Sequence, residues 1–160
     1  MRFLGIDPGL RATGYGCVDL RAAGAEPALV EAGVLRLSPR RTVPQRLAEL
    51  HADLDEIIEA LAPSLMVVEK LFAHYAHPTT AIQMGHARGV ILLAGAQRDV
   101  RILELGATEV KKSLTGNGHA GKRQMQLAVQ AQCRLREPPS PPDVADAIAI
   151  ALAAARRWRD

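Results

Sequence analysis

The stretch FLGIDPG at residues 3–9 is an apolar run that stops at an acid and a turn. Its first four residues predict a short β-strand, and the proline and glycine after Asp7 favour a tight bend. Asp7 is therefore expected at the end of a strand. A second strand is predicted at residues 13–18 and a third at residues 28–37, so the first three strands form an antiparallel meander.

The next segments predict a crossover from this meander to a parallel strand. Thr42, with Gln45 three residues later, has the pattern of a helix-capping box, and leucines and isoleucines follow at helical spacing until Pro63. Residues 65–68 are apolar at consecutive positions, which is typical of a strand buried on both faces in a parallel sheet, and Glu69 ends the run. A strand-helix-strand unit follows from this order.

The rest of the chain predicts one more strand among helices. The strand is expected at residues 101–105, and the helices at residues 79–97, 108–114, 122–133 and 143–158. The predicted class is α/β: a mixed five-stranded sheet, with the antiparallel three-strand meander joined to parallel strands and helices flanking the sheet.

The composition indicates a single domain that spans residues 1–160, because a chain of 160 residues that is 48% hydrophobic can bury one hydrophobic core. The net charge of +3 permits a nucleic-acid partner without requiring one. Cys17 and Cys133 show no paired spacing, which argues against a disulfide framework or a thiolate zinc site and favours a reducing cytoplasm. Neither a signal peptide nor a membrane-spanning run is expected.

Four carboxylates form the candidate site. Asp7 and Glu69 end two predicted strands, and Asp143 and Asp146 lie about 60° apart around one helix, so that all four can face one point. A set of oxygen ligands without cysteine or histidine suits Mg²⁺ or Mn²⁺. Two such ions about 4 Å apart can activate a water molecule and stabilise the leaving oxygen of a phosphodiester.

Each acid also has a structural explanation. Asp143 and Asp146 can be acids that the helix dipole favours near a helix start, and Asp7 can be an ordinary turn residue. The Glu69 carboxylate needs a positively charged partner to offset its desolvation. A salt bridge with a nearby arginine can provide that charge instead of a metal ion.

Residues 4–9 with 13–16, 68–72, 85–90, 110–118 and 143–151 carry a resemblance along nearly the whole chain. In this order and spacing they resemble the RuvC family of crossover junction endonucleases. The resemblance implies an RNase H-like fold and a homodimer that makes paired symmetric nicks across four-way (Holliday) DNA junctions in recombination and repair. It also implies a branch-migration complex of RuvA and RuvB as a partner.

The resemblance assigns the metal-binding catalytic role to four residues, namely Asp7, Glu69, Asp143 and Asp146. It places Lys111 and Lys122 beside them, where an ammonium group can bind a phosphate or stabilise the charge that develops on it; Lys122 is also predicted to be catalytic. Solvated surface lysines are the alternative.

Three further residues are predicted to bind DNA. Phe72 matches a loop aromatic of the family that stacks on a base, and Tyr75 lies in the same loop. Arg88 follows the glycine-rich helix motif. The alternatives are core packing for Phe72 and a dimer contact for Arg88.

Two motifs of the chain resemble those of other functional classes. Residues 116–123 nearly match a nucleotide-binding P-loop, but Arg123 stands where Ser or Thr must hold Mg²⁺, and a helix rather than a strand is predicted before the loop. The turn after Asp7 also resembles the phosphate motif of actin-like ATPases, which need a second domain. A module that binds junctions without cutting them is the remaining alternative.

The helix at residues 79–97 is the predicted dimer interface.

Overall fold

The computed structural model describes residues 1–22, 24–70 and 78–158. Within them, one sheet has the strand order β3-β2-β1-β4-β5, in which β1, β2 and β3 pair antiparallel while β4 and β5 continue parallel to β1. The predicted mixed sheet and its meander are therefore confirmed. The strands are β1 (Arg2–Asp7), β2 (Ala12–Asp19), β3 (Ala28–Arg36), β4 (Leu65–Glu69) and β5 (Arg101–Leu105). The helices are α1 (Val43–Leu61), α2 (Pro78–Gln97), α3 (Ala107–Thr115), α4 (Lys122–Cys133) and α5 (Pro142–Arg157).

The start of α1 follows the predicted capping box. The backbone N–H of Thr42 donates to Oε1 of Gln45 at 3.0 Å, and the backbone N–H of Gln45 donates to the Thr42 hydroxyl at 3.5 Å. These contacts satisfy two backbone donors at the helix start. α1 then returns the chain to β4, which pairs parallel with β1.

Alternation along the central strands divides the core into two layers. Phe3 and Val67 point to the side of the sheet covered by α3, α4 and α5, while Leu4, Met66 and Val68 point to the side covered by α1 and α2. Successive strand residues face opposite sides, so both faces of β1 and β4 are buried. The consecutive apolar residues that predicted a buried strand have this physical cause.

Three glycines let α5 lie directly on β1 and β2. A Cβ atom at Gly5 would lie 2.2 Å from the backbone oxygen of Ala147, and one at Gly14 would lie 2.1 Å from that of Asp143. A Cβ atom at Gly16 would lie 2.8 Å from the Ile148 side chain. The helix therefore packs closer to the sheet than any side chain at these positions permits.

The glycines of α2 have different environments. A requirement for close packing holds for Gly95, where a Cβ atom would lie 2.4 Å from the Met66 side chain. It does not hold for Gly85 and Gly89, which have open space around them. The helices of the described residues include none with the length and hydropathy of a membrane-spanning segment.

The contact beneath α5 predicts that Gly5→Ala destabilises the protein by about 3 kcal/mol or more, because the new methyl group meets helix backbone that cannot rotate away. Urea unfolding measures this loss. Gly121→Ala is the matched control: it places the same methyl group in open space at an exposed residue with ordinary backbone angles and is expected to change stability by less than about 1 kcal/mol. A Gly5→Ala protein with wild-type stability would refute the close contact.

Candidate active site

Two of the predicted acids end neighbouring parallel strands. Asp7 is the last residue of β1 and Glu69 is the last residue of β4. The register pairs Ile6 with Val68, so the two acids follow one step further along adjacent strands. By the alternation of strand side chains they point to the same side as Phe3 and Val67, which is the side that α5 covers.

The other two acids come from the start of α5. Asp143 lies in its first turn and Asp146 one turn further along, and both are half-buried. Because the start of α5 lies directly on Gly14, which pairs with Asp7 across β1 and β2, these helical acids are brought to the carboxyl end of β1.

Three of the four acids line one cavity of about 180 Å³. Asp7, Glu69 and Asp146 are joined there by Lys111 of α3 and Lys122 at the start of α4. The rest of the lining is small or apolar: Ala107, Val110, Met125 and Ile150. Asp143 lines a neighbouring cavity instead, although its charge still acts on Asp7.

Burial and neighbouring negative charges raise the pKa of three of these carboxyls. Burial, followed by the charges of Glu69, Asp146 and Asp143, raises the pKa of Asp7 from 3.8 to about 8, and Lys122 opposes this only partly. Burial and Asp146 raise the pKa of Glu69, with Lys111 acting in the opposite direction. Burial also raises the pKa of Asp146 above its ordinary value, while Lys122 and Lys111 lower it. Like charges held together away from water disfavour ionisation.

The structural explanation offered for Glu69 finds no support in the described residues. None of their arginines or lysines forms a salt bridge with Glu69, Asp7, Asp143 or Asp146. Buried carboxylates without a salt-bridge partner carry an electrostatic cost that a bound metal ion can offset.

The donor set fits a hard divalent cation in its chemistry. Its ligating atoms are carboxylate oxygens, and no cysteine or histidine lines the described part of the cavity. As the side chains stand, however, the described residues contain no group of three or more acids, histidines or cysteines arranged to hold an ion. The acids share one electrostatic site without being drawn together at ligand distance.

The remaining predicted residues lie elsewhere or outside the described range. Arg88 is paired with Glu104 of β5 and does not line either cavity. Phe72 and Tyr75 fall in residues 71–77, which lie outside the described residues. The segment before the P-loop-like sequence is α3, as predicted, which argues against a nucleotide-binding loop.

The neighbouring cavity contains residues that were not predicted as part of the site. Arg11, Thr80 and Gln83 line it together with Asp143. One signal for Arg11 was available in the sequence, because it follows the turn after Asp7 and must stay near the end of β1. Thr80 and Gln83 gave no such signal, since only the packing of α2 brings them there.

Comparisons with known proteins agree with this architecture. The sheet order and flanking helices define an RNase H-like fold, the fold of a class of carboxylate-dependent nucleases. Residues 3–154 match the family model described as crossover junction endodeoxyribonuclease RuvC. The chain belongs to this family of nucleases.

Individual relatives support the assignment. A protein of Rhodopirellula baltica named crossover junction endodeoxyribonuclease RuvC is 50% identical over 149 residues, which cover 93% of this chain and 83% of that protein. The structure of Thermus thermophilus RuvC matches with a TM-score of 0.86 at 34% identity, covering 98% of this chain and 94% of that one. A second T. thermophilus RuvC structure, in complex with a Holliday junction substrate, matches with a TM-score of 0.87 at 30% identity and the same coverage.

The raised pKa of Asp7 predicts how stability depends on pH without divalent ions. Between pH 3.8 and about 8 the folded protein keeps a proton on Asp7 that the unfolded chain releases, so stability falls as the pH rises through this window. Asp7→Asn removes this loss. We expect the free energy of unfolding of the variant to exceed that of wild type by about 2 kcal/mol at pH 8, which raises its melting temperature by roughly 4–8 °C. This difference should disappear toward pH 4. Thermal melts in EDTA measure it.

Glu137→Gln is the control for this measurement, because Glu137 is exposed and lies outside both cavities. It is expected to leave the melting temperature unchanged at either pH. If Asp7→Asn melted no higher than wild type at pH 8, the crowding of the acids would be refuted.

Proposed function

We propose that this protein is a structure-selective endonuclease that resolves four-way DNA junctions by paired symmetric nicks. The observation that carries the proposal is the meeting of Asp7, Glu69 and Asp146 with Lys111 and Lys122 in one cavity, in a chain of the RuvC family. The relative bound to a Holliday junction substrate supports four-way DNA as the substrate. Recombination and DNA repair are the processes in which such junctions arise.

The four acids would hold Mg²⁺ or Mn²⁺, with two ions per site. Bound ions of this kind supply an activated water and stabilise the leaving oxygen in phosphodiester hydrolysis. Asp7, Glu69 and Asp146 already line one cavity, and Asp143 is near enough to raise the pKa of Asp7.

The lysines would act on the substrate phosphate. Lys111 and Lys122 reach the cavity from two different helices, and both counter the charge of Asp146. An ammonium group in this position can bind a non-bridging phosphate oxygen and stabilise the negative charge that grows on it. Lys122 lies at the first residue of α4, so its backbone is fixed by the helix start.

A homodimer would supply the second active site that paired nicks require. α2 is the proposed interface: its outer face exposes 60% of Ile82 and 50% of Leu93, with Gly85 and Gly89 between them. A Cβ atom at either glycine meets nothing, so a helix of a second copy can approach this face closely. Arg88 points instead to Glu104 of its own chain.

The RuvA–RuvB complex and a cytoplasmic location remain expectations from the resemblance and the cysteine content.

Cleavage of a synthetic four-way junction in Mg²⁺ or Mn²⁺, compared with linear duplex, tests the proposed activity. We expect wild-type protein to nick the junction and leave the duplex intact. Asp7→Asn and Glu69→Gln are expected to slow nicking by about a hundredfold or more, because each removes a cation ligand, while junction binding survives.

The control for the cleavage experiment is Glu137→Gln, which should nick at the wild-type rate. A wild-type protein that binds the junction but does not cut it with either ion would favour the alternative, a binding module without nuclease activity. Cleavage that persists in Asp7→Asn would remove the proposed role of the cavity.

The dimer is tested by Leu93→Glu, which places a charge on the exposed face of α2. Light scattering is expected to show a dimer for wild type and a monomer for the variant. On a plasmid that extrudes a cruciform, wild type should give linear DNA by paired nicks, whereas the variant should give mainly open circles.

Leu127→Glu is the matched control for the dimer, because Leu127 is also exposed, at 44%, but lies on α4. It should stay dimeric. A Leu93→Glu protein that remains dimeric would exclude this face as the interface.

A further inference from the structure

A second cavity adjoins the acid cluster, with a volume of about 420 Å³. The turn between β1 and β2 forms one wall with residues 9–12, and the first turns of α2 form the other with Thr80, Gln83 and Met84. Asp143 lines this cavity, and its charge acts on Asp7 in the first one. Asp143 therefore connects the acid cluster to the second cavity.

The wall that carries Arg11 has a fixed backbone. The Thr13 hydroxyl donates to the Gly9 carbonyl at 2.6 Å, and the Leu37 backbone N–H donates to the Arg11 carbonyl at 3.0 Å. Arg46 donates to the Leu10 carbonyl at 3.3 Å. These contacts tie the turn to β2, to the chain after β3 and to α1, so the position from which the Arg11 side chain extends is set by three parts of the fold.

Arg11 differs from several other arginines of the chain in its charge partners. Arg41, Arg88, Arg98, Arg156 and Arg157 form salt bridges with acids of the described residues. Arg11 is exposed and forms no salt bridge within that part of the chain, although Asp143 lines the same cavity. A guanidinium group presented in this way is available to an external anion.

Both cavities are therefore lined by cations as well as acids. Lys111 and Lys122 line the first cavity, and Arg11 lines the second together with Asp143. A polynucleotide carries one phosphate per nucleotide, so a strand whose scissile phosphate occupies the first cavity must place a neighbouring nucleotide nearby. The second cavity offers a cation, a hydroxyl, an amide and the thioether of Met84, which suit the phosphate, sugar and base of one nucleotide.

We propose that the second cavity binds the nucleotide adjoining the scissile phosphate, with Arg11 holding its phosphodiester and Thr80 and Gln83 contacting its sugar or base. This inference rests on the proposed nuclease function and adds a positioning role for Arg11. The charge of Arg11 holds the strand in place, and the acids and lysines of the first cavity act on the scissile bond.

Arg11→Gln tests the proposal, with Arg21→Gln as the matched control. Arg11 immediately precedes β2 and Arg21 follows its other end, and both side chains are exposed, so the same charge is removed at opposite ends of one strand. Junction affinity of Arg11→Gln is expected to fall about tenfold, and the salt dependence of binding to weaken by about one counterion. Arg21→Gln should keep wild-type affinity.

Phosphate interference identifies the contact. In junctions that carry one neutral methylphosphonate, moved one position at a time, wild type and Arg11→Gln are compared. At one phosphate next to the scissile bond, the neutral group should weaken wild-type binding about tenfold and leave Arg11→Gln nearly unaffected, because the lost contact is the same. A merely structural role for Arg11 would not select one phosphate.

Two results would overturn the proposal: wild-type junction affinity in Arg11→Gln, or an interference pattern in Arg11→Gln identical to that of wild type at every phosphate. Both variants are first compared with wild type by thermal melting to establish that they fold. Failure of the underlying nuclease function shows differently, as a wild-type protein that does not cut the junction at all.

Discussion

The close contact between α5 and the glycines of β1 and β2 is the constraint on which the candidate site depends. A helix packed over ordinary side chains would stand farther from the sheet, and its first acids would not reach the end of β1. Gly14 is decisive, because it pairs with Asp7 across the two strands while the backbone of Asp143 lies directly above it. One glycine thus joins an acid of the first strand to an acid of the last helix.

That contact creates an electrostatic conflict within the fold. Burial, together with the charges of Glu69, Asp146 and Asp143, raises the pKa of Asp7, so its ionised form is electrostatically unfavourable there. The lysines at the cavity relieve the conflict only in part. Such an arrangement favours positive charge, which is the physical basis of the proposed cation site and of the proposed phosphate contacts beside it.

Much of the fold could be predicted from the sequence, because its signals are local. The capping box at Thr42, the consecutive apolar residues of β4 and the turn after Asp7 each report on a few neighbouring residues, and the structure places the corresponding elements within one or two residues of the predicted bounds. The prediction that distant acids lie near one another rests on the same kind of signal, since strand ends and a helix start limit where side chains can lie. That they hold an ion together stays a prediction.

Other features depended on packing that no short stretch encodes. The separation of Asp143 into a second cavity, the pairing of Arg88 with Glu104 and the contribution of Thr80 and Gln83 all follow from how α2 and α5 lie on the sheet. The open surroundings of Gly85 and Gly89 are another example, because the sequence does not distinguish a helical glycine that faces the core from one that faces the solvent.

The parallel pairing of β1 with β4 sets the order in which contacts to β1 can form during synthesis. During synthesis β1 can pair with β2 soon after both are made. It pairs with β4 only after α1 has been made, and α5 can cover it only after synthesis has passed Pro142. Contacts between such distant segments form late and slowly. A nascent or truncated chain that lacks α5 would have Asp7 and Glu69 but neither Asp143 nor Asp146, so an unfinished molecule would carry no complete set of acids.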